Sequence, residues 1–145
     1  MSASIIEQIL ARATAALTST TAAQANVFRG RSDALADDEI PGLNIRRAPH
    51  NEDAFGQNAS RINIDFEVEH FVADSANWET DVDALHMQVH AVLAADAQLA
   101  ALGRGLRCTG TDPQSDSADR VIGKLTAQYR MQVLVRPGDL TRTIS

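Results

Sequence analysis

The spacing of hydrophobic and polar positions changes along this chain, and each change marks an element. From Arg61 the residues alternate. Ile62, Ile64, Phe66 and Val68 fall on one side, and Arg61, Asn63, Asp65, Glu67 and Glu69 on the other. A period of two predicts a strand over residues 62–72 with one buried face and one wet face. A turn is expected at 74–77. After it, Trp78, Val82, Leu85, Val89 and Val92 recur at steps of four and three, which predicts a helix over 77–95 with one apolar stripe. Each apolar face needs cover, and the simplest cover for each is the other.

The remaining elements are read in the same way. Ile5, Ile6, Ile9, Leu10, Ala13, Ala16 and Leu17 form a helical stripe near the N-terminus. Ser4 with Glu7 three residues on has the form of a capping box, and the threonine cluster at 18–21 should end the helix. Residues 26–31 are a weak strand candidate around Val27 and Phe28. Ile40, Pro41 and Gly42 signal a turn before a short strand over 43–48. A polar arm over 49–60 then carries a single large apolar residue, Phe55. Residues 97–102 should add a turn of helix before Gly103 and Gly105 stop it. A strand over 106–111 contains Cys108. A polar loop over 112–120 follows, and then a long alternating strand over 121–136, in which Gly123 is expected to mark a bulge. Pro137 and Gly138 should end that strand and leave 137–145 as a loose tail. The prediction is one α+β domain over 1–145. Its mixed, mainly antiparallel sheet has four to five strands, with two main helices packed against it.

Composition narrows the function classes. The chain has 145 residues and a formal net charge of −6, from 19 acidic and 13 basic residues. That balance argues against gripping nucleic acid, which needs a basic footprint. One cysteine rules out an internal disulfide, and Cys108 reads as a small half-buried strand residue. No run reaches the ~18 apolar residues of a membrane span, and the first residues lack the basic start of a signal peptide. The expectation is a protein that stays in the cytoplasm or joins a particle built there.

Candidate chemistry is sparse. The acids Asp33, Asp37, Asp38 and Glu39 lie in a loop whose spacing matches no calcium-binding pattern. His86 and His90 are four apart and share a helix face, but Met87 stands where a hydrolytic zinc motif wants Glu. His70 falls on the apolar side of its strand and reads as a satisfied histidine at the edge of the core. No nucleophile elbow, phosphate loop or dinucleotide fingerprint is present. The expectation is no enzyme, no cofactor and no metal. The segments left over are exposed ones suited to contact: the 32–39 loop, the 49–60 arm, the 112–120 loop and the tail. Interface candidates within and beside them are Asp33, Asp37, Asp38, Glu39, Arg46, Arg47, Phe55, Arg61, Asp112, Asp116, Arg120 and Arg136. Arg46, Arg47 and Arg61 could pair with the acidic loop of an adjacent subunit.

From about Ile5 to Val135 the chain resembles the tail terminator, or tail completion, proteins of long-tailed bacteriophages, the family of the lambda minor tail protein U. The resemblance rests on the order of pieces. An Ala/Leu-rich helix and a weak strand precede Ile40-Pro41-Gly42-Leu43-Asn44-Ile45. An alternating strand then runs into a helix ending Leu-Ala-Ala-Asp-Ala-Gln-Leu-Ala-Ala-Leu at 93–102, and two further strands flank an acidic loop, the last around Tyr129. The resemblance implies a hexameric ring on the head-proximal end of the tail tube, located in the virion. Such a ring stops tube polymerisation and meets a head-completion or connector protein. DNA would pass through its channel without specific binding, and a negatively lined channel suits that passage. Another neck or minor tail component, or a small enzyme using His86 and His90, are the alternatives.

Overall fold

The computed structural model describes residues 3–73, 76–116 and 122–144. Part of the turn expected at 74–77, the end of the 112–120 loop including Arg120, and Val121 lie outside these residues. In chain order the elements are α1 (Ile5–Leu17), β1 (Val27–Arg29), a 3-10 turn (Asp37–Glu39), β2 (Gly42–Arg47), β3 (Asn51–Ala54), β4 (Ser60–Ala73), α2 (Trp78–Ala95), α3 (Ala97–Leu102), β5 (Arg104–Asp116) and β6 (Ile122–Val135).

The sheet has six strands in the order β1-β2-β4-β6-β5, with β3 pairing beside β4. Among the described residues only β1 and β2 run parallel; every other pair is antiparallel. This is the expected α+β class, with a larger sheet than the four to five strands predicted. The additional strand, β3, lies within what reads as a polar arm. Asn51–Ala54 is exposed throughout and pairs with Ser60, Arg61, Ile62 and Asn63. Its backbone bonds hold it in place, so its side chains carry no apolar signal.

The alternation in β4 works as expected on one side. Ile62, Ile64, Phe66 and Val68 are fully buried and face Val133, Met131, Tyr129 and Ala127 of β6. Val82, Leu85, Val89 and Leu93 of α2 cover this face, and the α1 stripe from Ile5 to Leu17 joins the same core. All three helices sit on that side. Among the described residues no helix covers the opposite face, where Arg61, Asn63, Asp65 and Glu67 are only half-buried.

Four other local expectations are corrected. Ser4 Oγ accepts from the Glu7 N–H at 3.1 Å, but the Glu7 carboxylate turns away to Arg29, making two bonds of 3.0 Å. Half of the capping box therefore forms, because an ion pair competes for the acid. Gly123 marks no bulge: the ladder with β4 is continuous from Val72 to Ser60. A Cβ there would stand 2.6 Å from Cε3 of Trp78, so the missing side chain makes room for the indole. The span 112–116 is part of β5 rather than a loop, since a polar edge strand needs only one neighbour. The C-terminal tail is not loose. The Leu140 carbonyl accepts the Ile5 N–H at 2.6 Å, and the Ile144 N–H donates to Leu134 at 2.7 Å. Ile5 begins α1, so the tail satisfies one of the unpaired donors that every helix start carries.

Candidate interaction surface

Directly paired residues point to the same face of a sheet, so the ladders map the open face row by row. At one end Arg61 lies between Asp53 and Leu134. The next row carries Asn63, Gln132 and Arg104, and the next Asp65, Arg130 and Arg107. Towards the other end come Arg46, Glu67 and Gln128, then Asn44, Glu69, Thr126 and Asp112, and finally Phe71, Lys124 and Gln114. Four arginines fall in the first three rows, against two acids. Three acids fall in the last three, against Arg46 and Lys124. The open face is therefore graded from basic to acidic.

The acidic end is tied down internally. Glu69 is only 5% exposed although it lies on the polar side of β4. Its carboxylate accepts from Asn44 Nδ2 at 2.8 Å and lies 2.9 Å from Lys124 Nζ, with Arg46 at 3.9 Å. A buried carboxylate needs such partners. Asn44 also bonds the backbone of Arg31, which in turn holds Glu39 and lies 3.6 Å from Asp33. A cleft of about 250 Å³ opens between this loop and β2. Of the predicted contact residues, Asp33, Glu39 and Arg46 thus gather here. Asp37 and Asp38 sit on the exposed 3-10 turn. Asp112 lies on the edge strand with Gln114 Nε2 at 3.1 Å, and Asp116 ends that strand. Arg47 falls on the helix-covered side, where its charge helps Arg29 hold the Glu7 carboxyl below the usual range.

The basic end is open. Phe55 and Arg61 meet there, with the guanidinium 5.7 Å from the ring centroid. Arg104, Leu134 and Ile144 complete a cleft of about 150 Å³. Arg61 Nε is shielded from solvent and has no acceptor. Arg136 borders a neighbouring depression with Gln57 and Asn58. Arg104 escaped the sequence reading because the glycines on either side suggest a helix stop rather than a strand. In the middle of the face, Arg130 grips Asp65 through two bonds of 2.7 and 3.1 Å.

A second constellation lies under α2. His70 is fully buried, not at the edge of the core, and its Nδ1 is 3.0 Å from the Leu125 carbonyl. His86 meets it edge to face, with centroids 5.2 Å apart, and His90 lies 6.0 Å from His86. Tyr129 stacks on Phe66 at 5.5 Å and places its hydroxyl 3.4 Å from His90 Nδ1. His70 Nε2 and His86 Nδ1 are buried without partners, so the expectation of a satisfied His70 holds at Nδ1 alone. Burial pushes the His70 pKa down to about 4, and burial with the nearby His90 lowers that of His86. Both rings are therefore neutral at pH 7. Among the described residues no three His, Cys, Asp or Glu side chains are placed to hold a metal ion. Cys108 is half-buried in β5, as its position suggests. No described helix is long and apolar enough to cross a membrane.

No protein-family model matches the sequence, and no curated protein matches it.

Proposed function

We propose that this chain is a structural component of a bacteriophage tail, acting as a tail terminator. Copies of it form a ring, on this reading a hexamer, at the head-proximal end of the tail tube. The ring stops tube polymerisation and presents a surface to a head-completion or connector protein, while DNA passes without specific binding. The observation that carries the reading is the open, charge-graded sheet face. An open face with basic residues at one end and acidic ones at the other suits contact with further protein subunits. Two further features support it. The element order follows the order on which the family resemblance rests, and the net charge of −6 suits a channel that must not hold DNA.

Native mass spectrometry of the purified chain, alone and with tail tubes, tests the reading. Ring-sized assemblies and tubes carrying a cap at one end are expected. Uncapped tubes that keep growing in the presence of the chain would count against it.

A further inference from the structure

Three large hydrophobic side chains stand out from the described surface: Phe55 at 50%, Met87 at 65% and Leu140 at 40% exposure. Leu140 belongs to the docked tail. The other two sit among charges of opposite sign. Phe55 is flanked by Arg61 and Arg104, and among the described residues neither arginine has a carboxylate partner. Asp53 lies across from Arg61 in the ladder, but the guanidinium is turned over the Phe55 ring instead. Met87 projects from the exposed side of α2. Asp83 precedes it by four residues and Glu79 by eight, which sets all three in one row along the helix. Both acids are exposed, and no ion pair among the described residues engages either.

Resting on the ring reading above, we propose that copies associate head to tail, with the Glu79–Asp83–Met87 row on α2 of one chain seated in the Phe55–Arg61–Arg104 cleft of the next. Charge complementarity selects this occupant. Two guanidiniums and two carboxylates, none with an ion-pair partner among the described residues, each stand beside one of the two large hydrophobics exposed outside the docked tail, so the apolar and the charged parts of the patches match together. Arginine suits the role because its planar fork takes a carboxylate through two bonds. A thioether against an aromatic ring supplies the apolar anchor between them. An apolar centre rimmed by charge is the usual make-up of a specific contact.

Geometry forbids one molecule from making the contact with itself. α2 lies on the covered face and begins beside Gly123, whereas the cleft lies on the open face beside Leu134. Along β6, Gly123 and Leu134 are about 35 Å apart at strand rise. Two different patches joining in this way make a heterologous contact, which propagates and closes into a ring or extends as a filament.

A charge swap tests the contact. One variant carries Arg61→Glu with Arg104→Glu, and the other Glu79→Lys with Asp83→Lys. Native mass spectrometry of the full chain is expected to show oligomers for the unaltered protein. Each variant alone should raise the concentration needed for oligomers at least about a hundredfold, because like charges then face each other. Mixing the two variants in equal amounts should restore oligomers in which they alternate, since every junction again joins opposite charges. Restoration also shows that both variants are folded. Variants that assemble unaided, or a mixture that does not, overturn the contact and leave the ring reading standing. An unaltered chain that stays monomeric with and without tail tubes overturns both.

Discussion

His70 and His86 meet edge to face with ring centroids 5.2 Å apart, one on β4 and the other on α2. The pair sits where the helix is pressed onto the sheet, so its protonation bears on whether that helix stays docked. The other polar groups near it are His90 and Asp83 from α2, the Tyr129 hydroxyl and the Leu125 carbonyl from β6, the Val68 backbone from β4, and Cys108 from β5. None of them places a carboxylate against His70.

Acid should therefore weaken the fold in a definite window. The folded pKa of His70 is about 4, below its ordinary 6.5. The unfolded chain binds the extra proton more readily, so this contribution is complete above pH 6.5 and is lost as pH falls towards 4. The difference corresponds to a contribution on the order of 3 kcal/mol. The lowered pKa of His86 acts in the same direction. Urea titrations between pH 7 and pH 4 should show the midpoint falling, and His70→Leu should flatten that fall. An equally steep fall in the variant would show that other groups control the acid response.

Gly123→Ala should cost about 1–3 kcal/mol, the usual range for overpacking a filled site. The new methyl would meet the Trp78 ring at 2.6 Å and push the first turn of α2 off β6. Thermal unfolding of the variant, with tryptophan fluorescence as the probe, measures both effects. An unchanged melting temperature would mean that the indole moves aside freely.

Asp96 joins three elements. It accepts from Arg12 of α1 at 2.8 and 2.9 Å and caps α3 through the Leu99 N–H at 2.9 Å. The Arg12 guanidinium holds its carboxyl below the usual carboxylate range. Asp96→Ala should cost about 1–2 kcal/mol, chiefly by loss of the cap, since a partly exposed ion pair adds little. Asp96→Asn should recover most of that cost, because an amide oxygen still caps. Equal losses in both variants would assign the effect to the ion pair with Arg12 instead.

What could be read from the sequence follows the physics of each element. Ile62 to Val68 and Val82 to Val89 are legible because burial imposes a period on side chains, and that period is visible in one dimension. β3 and the outer half of β5 are not. Asn51–Ala54 and residues 112–116 are held by backbone bonds to a neighbouring strand, which any polar sequence can make. The tail reads as loose for the same reason: carbonyls of Leu140 and Leu134 dock it, and carbonyls leave no mark in a sequence. Of the candidate surface, Phe55 and Arg61 were visible as an isolated aromatic and an outward-facing cation. Their partner Arg104 lies 43 positions from Arg61 and comes near only through the β6 ladder, which no local pattern reports.

The length of the tail tube tests the central claim most directly. On the proposed function, particles of the phage that would encode this chain, produced without the gene, should be imaged by electron microscopy and their tubes measured. The account predicts tubes of irregular and excessive length, unattached to heads. Tubes of normal, uniform length on complete particles would contradict it.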